Sequence, residues 1–350
     1  MKTNVWSVDK LVDKLESYPQ ITQAATFLKN NEVVAFPTET VYGLGGNAEN
    51  SDAVAKIFAA KGRPSDNPLI IHIAEPSQLA DFVTEVPAKA ASLMEHFWPG
   101  PLTIIFKKKD GKLSELATAG LSTVAVRMPN HPVALALIMA SGLPIAAPSA
   151  NTSGKPSPTL ARHVYEDLDG KIAGIVDGGP TGVGVESTVI DCTDEVPVIL
   201  RPGGVTKEQI EAVIGSVSVD PALKNSEAAP KSPGMKYRHY APDAPFYLVR
   251  GSHAFLQKLV DEKRREGRKV GVLTTAEAAG DYQADLVLAC GRRNQLETVA
   301  TALYETLRAF NDSDVDVIFS ETFPDEGVGV AIMNRLTKAA AHQVISETDY

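Results

Sequence analysis

Between about residues 21 and 214, short apolar runs alternate with stretches whose apolar positions recur at helical spacing. The runs at 33–36, 69–73, 102–106, 123–126, 172–176, 188–190 and 198–200 are rich in Val, Ile, Leu and Phe and predict strands. Helical spacing over 21–29, 53–60, 88–97, 132–140 and 207–213 predicts the intervening helices. That order implies a mixed sheet with helices, an α/β or α+β domain. The pattern fades between about 215 and 244, where Ser, Pro, Ala, Lys and Asn dominate, so this stretch reads as a linker. Met235 to Tyr240 is its exception, because aromatic and basic side chains there could lie over a polyanion. From 245 onward, apolar runs at 246–249, 269–273, 286–288 and 315–319 alternate with helical patterns at 253–266, 295–310 and 331–346. This is the signature of a small doubly wound parallel sheet, Rossmann-like in type. The expected organisation is therefore a domain over 1–214, a linker over 215–244 and a smaller α/β domain over 245–350.

Composition narrows the picture. With 44% hydrophobic and 22% charged residues, the 350-residue chain can bury two ordinary cores. Its net charge of -9 opposes tight, unaided binding of a nucleic-acid backbone, although a local basic groove for a nucleotide remains open. Cys192 and Cys290 are far apart, which argues for a reducing compartment and against a disulfide framework or a cysteine zinc site. No apolar run sits behind a basic head at the start, and no stretch reaches the ~20 apolar residues of a membrane span. A cytoplasmic protein with no membrane partner is expected.

Candidate chemistry gathers at strand ends, where ligands sit in α/β sheets. Pro37-Thr38-Glu39-Thr40-Val41-Tyr42-Gly43-Leu44-Gly45 follows a strand; its hydroxyls suit a small polar substrate, and its glycines would let backbone approach one. A turn with capping hydroxyls has the same composition. The loose G-x-G-x-x-A match at 43–48 starts seven residues after the strand, too late for the dinucleotide turn. Lys61-Gly62-Arg63 could clamp phosphates or simply complement a helix dipole, and Asn67-Pro68 fits either reading. His72 lies within a strand, where packing is commoner than catalysis. Arg127 ends an apolar strand and needs an anionic partner, either a ligand or an internal carboxylate. Small polar residues at 148–154 and 186–188, and Arg201-Pro202-Gly203, repeat the theme. No G-x-S-x-G, G-x-x-x-x-G-K-[ST] or H-E-x-x-H motif occurs, so positioning and charge stabilisation are expected instead of a covalent intermediate.

Taken in order, these segments resemble the YrdC-type threonylcarbamoyl-AMP synthase family in its long two-domain form. The 232–242 run Ser-Pro-Gly-Met-Lys-Tyr-Arg-His-Tyr-Ala-Pro resembles that form's linker. The resemblance implies an enzyme, an L-threonylcarbamoyladenylate synthase. It would join L-threonine, bicarbonate or CO2, and ATP into threonylcarbamoyl-AMP and pyrophosphate, for threonylcarbamoyladenosine modification of tRNA. It also implies that Thr40, His72, Arg127, Ala147 (through its backbone) and Ser187 hold L-threonine. Arg63, Asn67, Thr123, Ser149, Ser157 and Arg201 would hold ATP, with Tyr237 closing over the nucleotide and Lys61 joining Arg63 as the catalytic cations on the phosphates. Magnesium would arrive with ATP, no organic cofactor is implied, and downstream tRNA threonylcarbamoyl-transferase machinery would take the product. YrdC-like modules also resemble part of hydrogenase-maturation carbamoyltransferases, but the zinc-finger and acylphosphatase-like segments of those proteins are not found here. A non-catalytic RNA-binding role is opposed by the charge, and an NAD-dependent role by the missing glycine fingerprint at Val249-Arg250-Gly251-Ser252.

Overall fold

The computed structural model describes residues 2–11, 14–223 and 239–350. Among these, the chain forms two compact units. The first comprises 2–153, 157–182 and 186–223; the second comprises 239–350 with two short pieces, 154–156 and 183–185.

The strands of the first unit are β1 (Asn4–Ser7), β2 (Val34–Phe36), β3 (Gly43–Asn47), β4 (Ile70–His72), β5 (Leu102–Lys107) and β6 (Thr123–Arg127). They continue with β7 (Ile145–Ala146), β8 (Gly174–Asp177), β9 (Thr188–Asp191), β10 (Val198–Arg201) and β11 (Ser218–Val219). They form one mixed sheet in the order β1-β8-β2-β3-β7-β4-β6-β5-β9-β10-β11. Its helices are α1 (Pro19–Lys29), α2 (Ser51–Lys61), α3 (Leu79–Phe82), α4 (Ala88–Phe97), α5 (Glu115–Thr118), α6 (Pro132–Ser141), α7 (Ala161–Leu168) and α8 (Lys207–Ile214).

Strand alternation sorts the side chains onto two faces. Ile71, Ile104, Val124, Val126, Ile190 and Ile199 join Val54 and Ile57 of α2, Leu93 of α4 and Ile210 of α8 in one core. On the other face, Val34, Phe36, Ile145 and Val176 pack with Ile21, Ala24 and Leu28 of α1 and Val133 and Leu137 of α6. Further along that second face lies a small cluster made only of strand residues: Ile70, Ile105, Ala125, Val189 and Leu200.

Two elements depart from the pattern-based expectation. The glycine-rich run is not a turn, because Gly43–Asn47 is a strand between β2 and β7. A Cβ on Gly45 would sit 2.7 Å from Phe36 and 2.8 Å from Ile145, so this glycine serves close strand packing and not ligand approach. Secondary structure also continues past 214, since β11 pairs in parallel with β10 within the stretch read as linker.

The second unit holds β12 (Phe246–Arg250), β13 (Val270–Thr274), β14 (Leu286–Ala289), β15 (Val317–Glu321) and β16 (Val344–Ser346), with α9 (His253–Arg265), α10 (Leu296–Ala309) and α11 (Val328–Ala339). Every neighbouring pair in its sheet, ordered β14-β13-β15-β12-β16, is parallel. The helix expected to run to 346 stops at Ala339, because Ala341 and His342 adopt left-handed backbone (φ 48 and 63), and the chain re-enters as β16.

Candidate active site

The turn joining β2 to β3 carries Thr38, Glu39 and Thr40 against the carboxyl end of β6. Thr38 shapes it: its hydroxyl accepts from the backbone N–H groups of Thr40 (3.1 Å) and Val41 (3.2 Å) and donates to the Val41 carbonyl (2.7 Å). The Thr38 and Thr40 hydroxyls also lie 2.8 Å apart. Thr40 in turn accepts from Arg127 Nη1 at 2.9 Å, while Arg127 Nε donates to the Gly100 carbonyl at 3.3 Å. Arg127 is 4% exposed.

Arg127 Nη2 lies 2.7 Å from Glu39 Oε1. Yet neither Nη2 nor either Glu39 oxygen completes an aligned hydrogen bond, although all are buried. The ions touch, but the N–H bonds do not point along the contact. An arginine has five N–H donors, and the two on Nη2 keep their capacity here. Burying charged groups in this condition is costly unless a further partner completes them.

His72 stands in register beside Arg127 on the neighbouring strand. Its Nδ1 is 3.2 Å from the Ile70 carbonyl, and its ring meets Phe36 edge-on. Burial, then the Arg127 charge, push its pKa from 6.5 down to about 3. His131, just ahead of α6, falls to about 4, chiefly through burial, with the Glu39 charge opposing and Lys10 assisting. Both imidazoles are therefore neutral at pH 7.

A stability prediction follows for the first unit. Between pH 6.5 and about 4 the unfolded chain binds two protons that the folded chain excludes, so stability is complete above pH 6.5 and falls on acidification. Each histidine contributes about 1.4 kcal/mol per pH unit. The urea midpoint of the first unit should drop between pH 7 and pH 5, and His131→Gln should remove about half of the slope. Equal midpoints at the two pH values would contradict the assignment.

The remaining expected residues fall into three groups. Thr123 begins β6 on the face that Ala125 and Arg127 share, four residues from Arg127 and so about 13 Å away. The strand-only cluster of Ile70, Ile105, Ala125, Val189 and Leu200 forms an apolar floor on this face. Asn67 is 3% exposed, and its buried Nδ2 has no hydrogen-bond partner among the described residues.

The second group braces the site. Ser157 donates to Glu186 Oε1 at 2.6 Å. Arg201 folds onto Ser187, reaching its carbonyl from Nε (3.1 Å) and Nη2 (2.9 Å) and its hydroxyl from Nη2 (3.1 Å). Ser187 Oγ also lies 2.7 Å from the Thr103 hydroxyl. The Ala147 N–H donates to the Ile70 carbonyl at 2.9 Å, leaving only its carbonyl for the backbone role.

The third group surrounds the end of α2. Lys61 is 3% exposed; its Nζ donates to the carbonyls of Ser149 (2.5 Å) and Asn151 (2.7 Å). Gly62 closes the helix in left-handed backbone (φ 63), and Arg63 follows with its guanidinium 5.9 Å from the Phe58 ring centroid. Tyr237 lies outside the described residues. Its neighbour in sequence Tyr240 is buried in the second unit, stacked on Tyr304 at 5.3 Å. Sequence reasoning assigned no role to Glu39, Thr103, His131 or Glu186. Thr103 was visible as a polar residue within an apolar run, whereas Glu39, His131 and Glu186 stand among other turn-type residues, and none of the four gave any indication of its partner.

Two family models match the chain. One described as telomere recombination, covering the Sua5, YciO and YrdC proteins, spans residues 26–203. One described as the threonylcarbamoyl-AMP synthase C-terminal domain spans 205–341. The chain is 64% identical to the threonylcarbamoyl-AMP synthase of Bacillus subtilis over 99% of its own length and 100% of that protein. It is 50% identical to the synthase of Pyrococcus abyssi over 95% of its length and 97% of that protein. A crystal structure of P. abyssi Sua5 complexed with L-threonine superposes with a TM-score of 0.92 at 48% identity, covering 98% of this chain and 99% of that one.

Proposed function

This chain belongs to the threonylcarbamoyl-AMP synthase family in its two-domain form, and from that premise we propose that it makes threonylcarbamoyl-AMP and pyrophosphate from L-threonine, bicarbonate or CO2, and ATP, for tRNA modification. The observation that carries this reading is a buried arginine, with hydrogen-bonding capacity left on Nη2, at the edge of an apolar floor. Arg127 and Thr40 take the amino acid, the arginine meeting its carboxylate. His72, neutral and buried, contributes a wall and a hydrogen-bonding atom instead of charge. The adenosine lies over Ile70, Ala125 and Leu200 towards Thr123, and the Asn67 amide completes its hydrogen bonds on the nucleotide. Arg63 meets the phosphates.

The chemistry needs little beyond placement. Carboxylation of the threonine amine gives a carbamate, whose oxygen attacks the α-phosphorus as pyrophosphate leaves. Holding the two reactants together and excluding water from a hydrolysable anhydride supplies most of what is required. Among the described residues, no group of three or more His, Cys, Asp or Glu is placed to hold a metal. Magnesium is therefore proposed to ride on the ATP phosphates, where it would offset their charge. Ser157 and Arg201 act through their grip on Glu186 and Ser187. Among the described residues, no helix is long and apolar enough to cross a membrane, and a cytoplasmic location is proposed with the reaction.

Purified protein should release pyrophosphate from ATP only when both L-threonine and bicarbonate are supplied, with no tRNA present. Release indifferent to threonine would overturn the reading.

A further inference from the structure

Threonine at neutral pH presents an ammonium, which has no lone pair to attack carbon. Some group must accept its proton before a carbamate can form. His72 and His131 lie well below the range useful for that task at neutral pH, and in both cases burial is the first cause. One acidic side chain stands against the arginine assigned to the amino acid's carboxylate, and that is Glu39.

Its surroundings are unusual for a structural ion pair. Glu39 Oε1 is 2.7 Å from Arg127 Nη2, yet both carboxylate oxygens are buried without an aligned donor among the described residues. Its backbone is fixed on both sides: its carbonyl accepts from the Gly182 N–H at 3.0 Å, and the adjacent Thr38 and Thr40 are tied to the turn. A charged acceptor pinned in place and short of donors is matched by a group carrying several N–H bonds. An arginine with open donors beside a carboxylate with open acceptors is also the complement of an amino-acid zwitterion, whose two charged groups share one carbon.

We propose that Glu39 is a catalytic residue that holds the substrate's α-ammonium and accepts the proton it loses. The proposal rests on the synthase reading. The protons balance as follows. The ammonium carries three N–H bonds and the carbamate one. Of the two protons lost, one joins the departing bicarbonate hydroxyl as water, and the other passes to Glu39. The freed nitrogen lone pair forms the N–C bond as the C–OH bond breaks. The charged and titratable groups around Glu39 are Arg127 from β6 and the neutral His131 ahead of α6, with the Lys10 charge reaching that histidine.

The test is the pH profile of pyrophosphate release by Glu39→Gln, with threonine affinity and melting temperature measured on the same variant. At pH 7 its kcat should fall at least a hundredfold, as when a general base is removed. The deficit should then shrink by about tenfold in all between pH 7 and pH 9, because the share of substrate already carrying a neutral amine rises by that much as an α-amino group with a pKa of about 8 titrates. Glu39→Asp keeps the base at shorter reach, so it should lose less activity and retain the wild-type profile; it also serves if the glutamine variant does not fold. A deficit constant from pH 7 to 9 would make Glu39 only a brace for Arg127 and overturn the proposal, as would a loss below fivefold or an aspartate profile that steepens with pH. Wild-type protein lacking threonine-dependent release would instead defeat the synthase reading itself.

Discussion

Arg127→Lys is expected to lower kcat/KM for L-threonine by about a hundredfold or more while changing KM for ATP by no more than a few-fold. The guanidinium reaches three places at once: Gly100 through Nε, Thr40 through Nη1 and the Glu39 carboxylate beside Nη2. A lysine ammonium is a point charge on a flexible stem and cannot reproduce that fork while also facing a carboxylate in two-point fashion. Charge-assisted hydrogen bonds contribute roughly 1.5–3 kcal/mol each, so losing two on the substrate removes about a hundredfold or more. Lysine is the informative substitution because it keeps a cation near Glu39. Arg127→Ala would leave that carboxylate buried beside no cation and cost about 3–5 kcal/mol of stability, confusing binding with folding. Steady-state pyrophosphate release with threonine varied at saturating ATP decides the matter. A Lys variant within fivefold of wild type would remove Arg127 from the threonine site.

Arg127 also illustrates what a sequence reveals. A cation closing the strand Thr123–Arg127 announces a need for an anion, and that need is visible without any structure. Which anion it meets is not, because Glu39 arrives from a distant turn through the sheet order β3-β7-β4-β6. The strands at 102–107 and 188–191 were legible for a related reason: both of their faces are buried, so each is a nearly continuous apolar run. Gly43–Asn47 was not, since glycine carries no period and its strand character comes from Phe36 and Ile145 pressing on it. Ser157 and Arg201 were visible as a hydroxyl and a cation near strand ends. Arg201 meets Ser187 only once β9 and β10 pair, and Ser157 meets Glu186 only when the fold brings two segments 29 residues apart together. Side-chain chemistry can thus be read locally, whereas partnership is a property of topology.

The same distinction separates two roles for Lys61. Family resemblance places its charge on the phosphates. The structure shows its ammonium bonded to the Ser149 and Asn151 carbonyls, with Ser153 N–H returning a bond to the Lys61 carbonyl at 2.9 Å. We therefore expect Lys61 to act by holding the 149–151 loop at the end of α2. Lys61→Met preserves length and apolar stem but leaves two buried carbonyls without their donor, at roughly 1–3 kcal/mol each. The first unit should lose about 3 kcal/mol, a fall of about 6–12 °C in its melting temperature. KM for ATP should rise at least tenfold as the Ser149 loop relaxes, whereas threonine affinity measured without ATP should change little, since Thr40 and Arg127 lie on other elements. Calorimetric melting and ATP titration of the same variant separate the alternatives. A variant as stable as wild type but unable to use ATP would return Lys61 to the phosphates. Lost stability together with weakened ATP use would place its effect in the loop, with the phosphate charge met by Arg63.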